Sequence, residues 1–212
     1  MAKVERFEKY ALRYEEWFED NWWVYESEVR AVRALLSEGG NAVEIGVGSG
    51  RFAEPLGIKM GVEPSRKMAE LAQQRGIGVV LGIAENLPVA DGRFDAALMV
   101  TTLCFLDDIS AAFQEVNRIL KPGGCIVIGF VDKESPVGRL YQQHKDESLF
   151  YGVATFYSVD EVLGYSTQAG FSDFDFTQTI FHRLSEIKDI EPVKKGYGEG
   201  SFVVVRGMKK GG

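Results

Sequence analysis

Glu44-Ile45-Gly46-Val47-Gly48-Ser49-Gly50 places an acid and three glycines in one short turn, directly after an apolar run. Glycine lets a chain turn tightly and lets a ligand approach the backbone, while free amides at a helix start point at that ligand. The dinucleotide fingerprint G-x-G-x-x-G needs a small residue where this chain has Arg51. The observed order is instead acid-x-G-x-G-x-G. A carboxylate two residues ahead of the first glycine suits a pyrophosphate poorly, but it is compatible with a ligand carrying an ammonium and a sulfonium. Gly61-Val62-Glu63-Pro64-Ser65 comes next. An acid ending a strand can accept hydrogen bonds from both ribose hydroxyls, so Glu63 indicates an adenosine ligand without choosing among cofactors. Met68, one turn into the following helix, either covers a face of adenine or packs in the core.

Other reactive groups are sparse. The two histidines, His144 and His182, have no nucleophile at recognisable spacing, so no catalytic residue is assigned. Cys104 and Cys125 have no neighbouring Cys or His at ligand spacing; no metal site is assigned, and reduced thiols in a cytoplasmic protein are expected.

The elements that must position these residues alternate. Short apolar runs and helical patterns follow one another from Gly40 onward, as in βαβ units with a mostly parallel sheet. Residues 42–45, 60–62 and 79–81 read as the first three strands. Residues 94–100 and 125–131 are continuous apolar runs, as expected of strands buried on both faces. Between them Ile109, Ala112, Phe113, Val116, Ile119 and Leu120 recur at helical spacing, with Asp108 as N-cap and Pro122-Gly123-Gly124 as the stop. A helix is expected where the glycine turn ends. Ser158 and Glu161 form a capping-box pair that starts another helix, which stops at Gly170. Phe174 and Phe176 alternate with acids, and residues 201–206 are a further apolar run; these two should pair as an antiparallel edge. In residues 1–38, two amphipathic helices are expected, one carrying Phe7, Tyr10, Ala11, Tyr14, Trp17 and Phe18 as an aromatic stripe. Those aromatics pack on the domain, and they are also placed to close a ligand pocket.

Taken together, these motifs resemble the class I S-adenosylmethionine-dependent methyltransferases, in particular the branch related to quinone-biosynthesis (type 11) methyltransferases. The resemblance covers roughly residues 7–206. It rests on E-I-G-V-G-S-G (44–50), G-V-E-P-S (61–65), G-I-A-E-N-L-P (82–88), F-D-A-A-L-M-V (94–100) and E-V-N-R-I-L-K-P-G-G (115–124), followed by Y-S-V-D-E-V (157–162) and A-G-F (169–171). Each motif is moderately specific, and their joint order is highly specific. The resemblance implies a Rossmann-like α/β sheet, mostly parallel with an antiparallel C-terminal strand pair and helices on both faces. It implies that Gly46, Gly48 and Gly50 surround the methionine moiety of S-adenosylmethionine, with Glu44 organising its ammonium side. Glu63 looks like the ribose ligand, with Pro64, Ser65 and Met68 beside it; Ala84 (through its backbone) and Glu85 look like adenine-edge contacts. Val100 and Thr101 would offer carbonyls near the amino group. A-L-R-Y-E-E-W-F (11–18) is similar to the family's A-x-x-Y-D-x-W pattern, which makes Tyr14 a cofactor contact. Two departures matter. Leu103-Cys104-Phe105-Leu106 stands where relatives often carry histidines, which puts the substrates of those relatives in doubt. Nothing like N-P-P-Y, typical of base-amino methyltransferases of nucleic acids, occurs at 101–104.

Size and charge narrow the reading further. At 212 residues the chain is expected to form one methyltransferase domain, since chains usually split beyond roughly 250 residues. A formal charge of −7 opposes extended contact with a phosphate backbone, so no nucleic-acid partner is expected. The uncharged run 96–106 is too short for a membrane span, which needs about 20 apolar residues. Residues 1–20 are too charged for a secretory leader. The acceptor is expected to be a small apolar or aromatic molecule. Residues 1–38 would form a helical cap. Residues 133–157, long and aromatic, would either form a substrate lid or pack as local helices. The candidate acceptor contacts are Trp17, Tyr141, His144 and Tyr151, with Trp22 and Trp23 possible on the opposite wall. Two rivals stand beside this reading: an NAD-binding oxidoreductase and a non-catalytic nucleoside-binding protein of the same fold.

Overall fold

The computed structural model describes residues 2–37 and 39–210. Phe94–Val100 (β4) and Leu120–Val131 (β5) pair in parallel at the centre of an eight-stranded sheet, with Ala96 opposite Cys125 and Val100 opposite Gly129. Their apolar residues alternate between two cores. Ala97, Met99, Ile126 and Ile128 face one side, where the helix Ile109–Ile119 (α5) packs; Leu98, Val100 and Val127 face the other, where Trp22–Arg33 (α3) packs. A strand buried on both faces has no use for polar residues, which is why these two runs read as continuous.

Outward from β4 lie Ala42–Ile45 (β1), Met60–Glu63 (β2) and Gly78–Leu81 (β3), all parallel. On the other side Phe202–Lys209 (β8) runs antiparallel between β5 and Phe171–Thr179 (β6), and Lys194–Lys195 (β7) closes that edge. The last long strand therefore inserts inside its predecessor. Its residues explain the order: Phe202, Val203, Val204 and Val205 are all fully buried, whereas β6 is buried only at Phe171 and at Thr177, Gln178 and Thr179, with half-exposed and exposed positions between them.

Both predicted caps form. Asp108 Oδ1 accepts from the Ala111 amide at 3.0 Å, and Ser158 with Glu161 makes the reciprocal box that opens the helix Val159–Gln168 (α7). Three expectations need correction. No regular helix follows the glycine turn. Glu54 N bonds Gly50 O and Leu56 N bonds Phe52 O, but Pro55 between them has no N–H, so residues 51–57 remain turns. β5 begins at Leu120 rather than Cys125, because Leu120 pairs with Phe94 and the Pro122-Gly123-Gly124 stretch forms a bulge, with Gly123 at φ +76°. The N-terminal region holds three helices, not two: Ala2–Lys9 (α1), Ala11–Asp20 (α2) and α3. Asn21 separates the last two by donating its side-chain amide to Trp17 O at 2.9 Å, a local bond that competes with the helix ladder.

Phe113 is fully buried between α5 and the sheet. Phe113→Ala should lower unfolding free energy by about 3–5 kcal/mol, read from denaturant titration; a loss under ~1 kcal/mol would mean this face is loosely packed.

Candidate active site

The carboxyl ends of β1, β2 and β4 converge, as expected for ligand sites in open α/β sheets. The chain leaves β1 into the glycine turn with Gly46 at φ +70°, and a Cβ there would lie 2.5 Å from the Thr102 side chain. Gly50, at φ +86°, approaches Ile77 just as closely. Those two glycines are required by packing. Gly48 differs: its missing Cβ would meet only the Tyr14 ring and hydroxyl, in ordinary contact at 3.9 Å or beyond, so packing does not crowd it.

Glu63 ties this turn to the next element. One carboxylate oxygen accepts from Gly48 N and the other from Ser65 N, both at 2.9 Å, and Ser65 then caps Arg66–Gln74 (α4) through Met68 N. Burial pushes the Glu63 carboxyl up to about 7, against the lowering effect of the two amides. Glu44 is more extreme. It is 2 % exposed, its Oε2 has no partner among the described residues, and burial, reinforced by the Glu63 charge, holds its carboxyl well above the usual range. Tyr14 stands over this pair. Its phenol is raised first by burial and then by the charges of Glu44 and Glu63, while a hydrogen bond with Thr101 opposes the rise.

The position of Tyr14 follows from its neighbour. Glu15 pairs with Arg51 at 2.8 Å and with Arg75 at 2.6 Å, which docks α2 against the glycine turn. The large residue that breaks the dinucleotide fingerprint thus serves as an anchor. Thr101, just past β4, has φ +51°, an uncommon conformation for a side-chain-bearing residue; its amide is held by Gly129 O at 2.8 Å.

Beside this cluster opens a cavity of about 260 Å³. Tyr14, Trp17, Thr101, Tyr141 and Tyr151 line it, together with Glu28. Tyr141 and Tyr151 stack at 4.8 Å, and Phe7 of α1 stacks on Phe150 at 5.1 Å. Of the residues expected to touch the acceptor, His144 is not among the lining residues: it is exposed and lies 3.3 Å from Glu147. Trp22 and Trp23 are exposed and likewise do not line the cavity. Met68 is buried, Ala84 is buried in the core, Val100 is buried beside Thr101, and Glu85 accepts the amides of Asp107 and Asp108, fixing the loop after β4.

Residues 133–157 are structured: Ser135 caps Pro136–Gln143 (α6), and two short 3-10 turns follow. α1 straps this segment to the cofactor side. Arg6 donates to Ser148 O and Leu149 O, Lys3 to Leu106 O, and Glu8 accepts from the Ser65 hydroxyl at 2.6 Å.

Glu28 and Phe105 were not singled out in the sequence. For Glu28 a signal existed: Tyr25, Val29 and Val32 form the buried face of α3, and a carboxylate on that face is out of place. It is 6 % exposed, and burial alone pushes its carboxyl up to about 8. Among the described residues no group of three or more His, Cys, Asp or Glu is arranged to hold a metal, both cysteines are free thiols, and no helix is long and apolar enough to cross a membrane.

A methyltransferase-domain profile matches residues 43–128. An S-adenosylmethionine-dependent methyltransferase from Thermotoga maritima, described as a possible histamine N-methyltransferase, is 53% identical, with a TM-score of 0.95 over 97% of this chain and 99% of that one. An uncharacterised protein of Methanocaldococcus jannaschii is 42% identical over 96% of this chain and 98% of its own length. The 2-phytyl-1,4-naphtoquinone methyltransferase of Nostoc punctiforme is 32% identical, matching 64% of this chain and 66% of that protein. The chain belongs to the class I S-adenosylmethionine-dependent methyltransferases.

The buried carboxyl of Glu28 makes a pH prediction. Its folded pKa, about 8, exceeds the ordinary value of 4.5, so the folded state holds the extra proton between those values. The contribution of this group to stability should be fully present below the ordinary value and be lost as pH rises through 8. The other groups near it, the phenols of Tyr141 and Tyr151, stay neutral over this range because burial raises both. Glu28→Gln should therefore gain roughly 3–5 kcal/mol relative to the parent between pH 4.5 and pH 9, measured by denaturant titration at each pH. An unchanged pH slope would mean this carboxyl is hydrated.

Proposed function

We propose that this methyltransferase alkylates a small apolar or aromatic acceptor seated in the aromatic cavity, by direct in-line displacement on S-adenosylmethionine. The observation that carries the reading is that the cavity and the glycine turn share Tyr14, which lines the first and faces Gly48 of the second. The residues present fit the cofactor. The unpartnered Oε2 of Glu44 suits an ammonium, and packing does not crowd Gly48. Glu63 can accept from ribose hydroxyls while keeping its two amide bonds, since each carboxylate oxygen has two lone pairs. Ser65 and Pro64 shape the turn beside it. Met68, Ala84 and Glu85 bound the adenine side, and Val100 and Thr101 offer carbonyls at the end of β4.

When bound, the cofactor supplies a methyl group on a sulfonium, already a good leaving group. What the chain must add is position: holding nucleophile and methyl close, aligned and away from water accounts for much of such a rate. Trp17, Tyr141 and Tyr151 form the acceptor wall in this reading, and His144 lies outside it. The acceptors in the descriptions of two relatives, histamine (given there as possible) and a phytyl-naphthoquinone, are both ring compounds, in keeping with that wall. The chain works as one domain, with residues 1–38 as cap and 133–157 as lid.

Calorimetric titration should show S-adenosylmethionine and S-adenosylhomocysteine binding more tightly than NAD; the reverse order would overturn the cofactor assignment. Glu63→Ala should weaken S-adenosylhomocysteine by about 10–1,000-fold while the protein stays folded. Unchanged affinity in the folded variant would place the ribose elsewhere. Amide exchange in residues 133–157 should slow when S-adenosylhomocysteine and an acceptor bind together. Equally slow exchange in the free protein would favour a fixed strut over a lid.

A further inference from the structure

Glu28 is the one buried carboxyl among the described residues of the cavity wall. Its carboxyl lies on the inner face of α3, lines the cavity, and makes no hydrogen bond or ion pair with any described residue. Its named neighbours across the cavity are aromatic: Tyr141 and Tyr151 both sense its charge. Burying a carboxylate without a partner is costly, and a wall built for an apolar ring alone would carry leucine or methionine there. The cations nearby are committed elsewhere. Arg51 and Arg75 both hold Glu15, and Arg13, also on the cavity wall, lies 3.0 Å from Glu16. Glu16 and Asp20 add further acids to the lining.

The geometry points to Glu28 as the residue that selects a basic amine as methyl acceptor, pairing with its nitrogen inside an aromatic cage and taking the proton that the nitrogen must lose. This rests on the methyltransferase reading above and names its acceptor class. Aromatic rings beside a cation add to the attraction through their quadrupoles, and Trp17, Tyr141 and Tyr151 share the cavity wall with the carboxylate. A cavity of about 260 Å³ admits one ring with a short side chain. The step balances without further reagents. An ammonium carried in from water gives one proton to the Glu28 carboxylate, which frees the nitrogen lone pair. That lone pair forms the new N–C bond to the methyl group as the C–S bond breaks, and its electron pair stays on sulfur, leaving a thioether and a methylated ammonium. A carboxyl whose affinity for protons is raised by burial is a better base than an exposed one.

The test uses the full chain saturated with S-adenosylhomocysteine, with 2-phenylethylamine and 2-phenylethanol as probes. The amine should bind about 10–100-fold more tightly than the alcohol. Because the empty carboxyl holds a proton at pH 7, calorimetry in two buffers of different ionisation enthalpy should show about one proton released per amine bound. In Glu28→Gln, which keeps the shape, both the preference and the proton release should vanish, while S-adenosylhomocysteine affinity stays within about 2-fold. With S-adenosylmethionine, the parent should methylate the amine at nitrogen, and the variant should lose this activity. If the alcohol binds as well as the amine, or the variant keeps the preference, the assignment of Glu28 is overturned while the cofactor reading stands. If S-adenosylhomocysteine itself fails to bind, both readings fall together.

Discussion

The pairing of β4 with β5 is the constraint on which the rest of the molecule depends. Both strands are buried on both faces, so helices must cover each side, and the backbone groups along them are met only by neighbouring strands. Polar chemistry is thereby pushed to the strand ends. Gly129 O holds the Thr101 amide, and this contact fixes the turn that puts Thr101 at φ +51° on the cavity wall. A softer β4–β5 pair would leave that residue free to relax to an ordinary conformation.

At that end of the sheet the electrostatics are deliberately unbalanced. Glu28, Glu44 and Glu63 are each at most 6 % exposed, and burial raises the carboxyl of each. The guanidinium groups that might offset them sit on the outer side, where Glu15 binds both Arg51 and Arg75. The result is a pocket short of positive charge. A ligand that brings its own cation, such as a sulfonium or an ammonium, favours the ionised form that burial disfavours in the empty protein. The same arrangement disfavours an anionic ligand such as a pyrophosphate, which agrees with the departure from the dinucleotide fingerprint at Arg51.

The N-terminal helices join both sides of the site. α2 is docked by Glu15 and brings Tyr14 over Gly48, while α1 reaches from the cap of α4 to the segment after α6 through Glu8 and Arg6. These bonds are few and partly exposed, so each is individually weak. Aromatic packing of Phe7 against Phe105 and Phe150 adds apolar contact beneath them.

Much of this was determined by the sequence alone. The strands β1 and β4, both helix caps, the antiparallel partnership of β6 and β8, and the family itself follow from local patterns: alternation, capping residues, glycine spacing. Such signals survive because each depends on a handful of adjacent residues. Other features depended on contacts between distant segments, and only the tertiary structure decided them. The fully buried face of β8 placed it inside β6, and the pairing of Leu120 with Phe94 started β5 ahead of its apolar run. His144, attractive by type, turned outward, while Glu28 turned inward to face residues more than a hundred positions later in the chain. A sequence shows which side chains can carry charge. Which of them loses its water is decided by what the folded chain stacks around it.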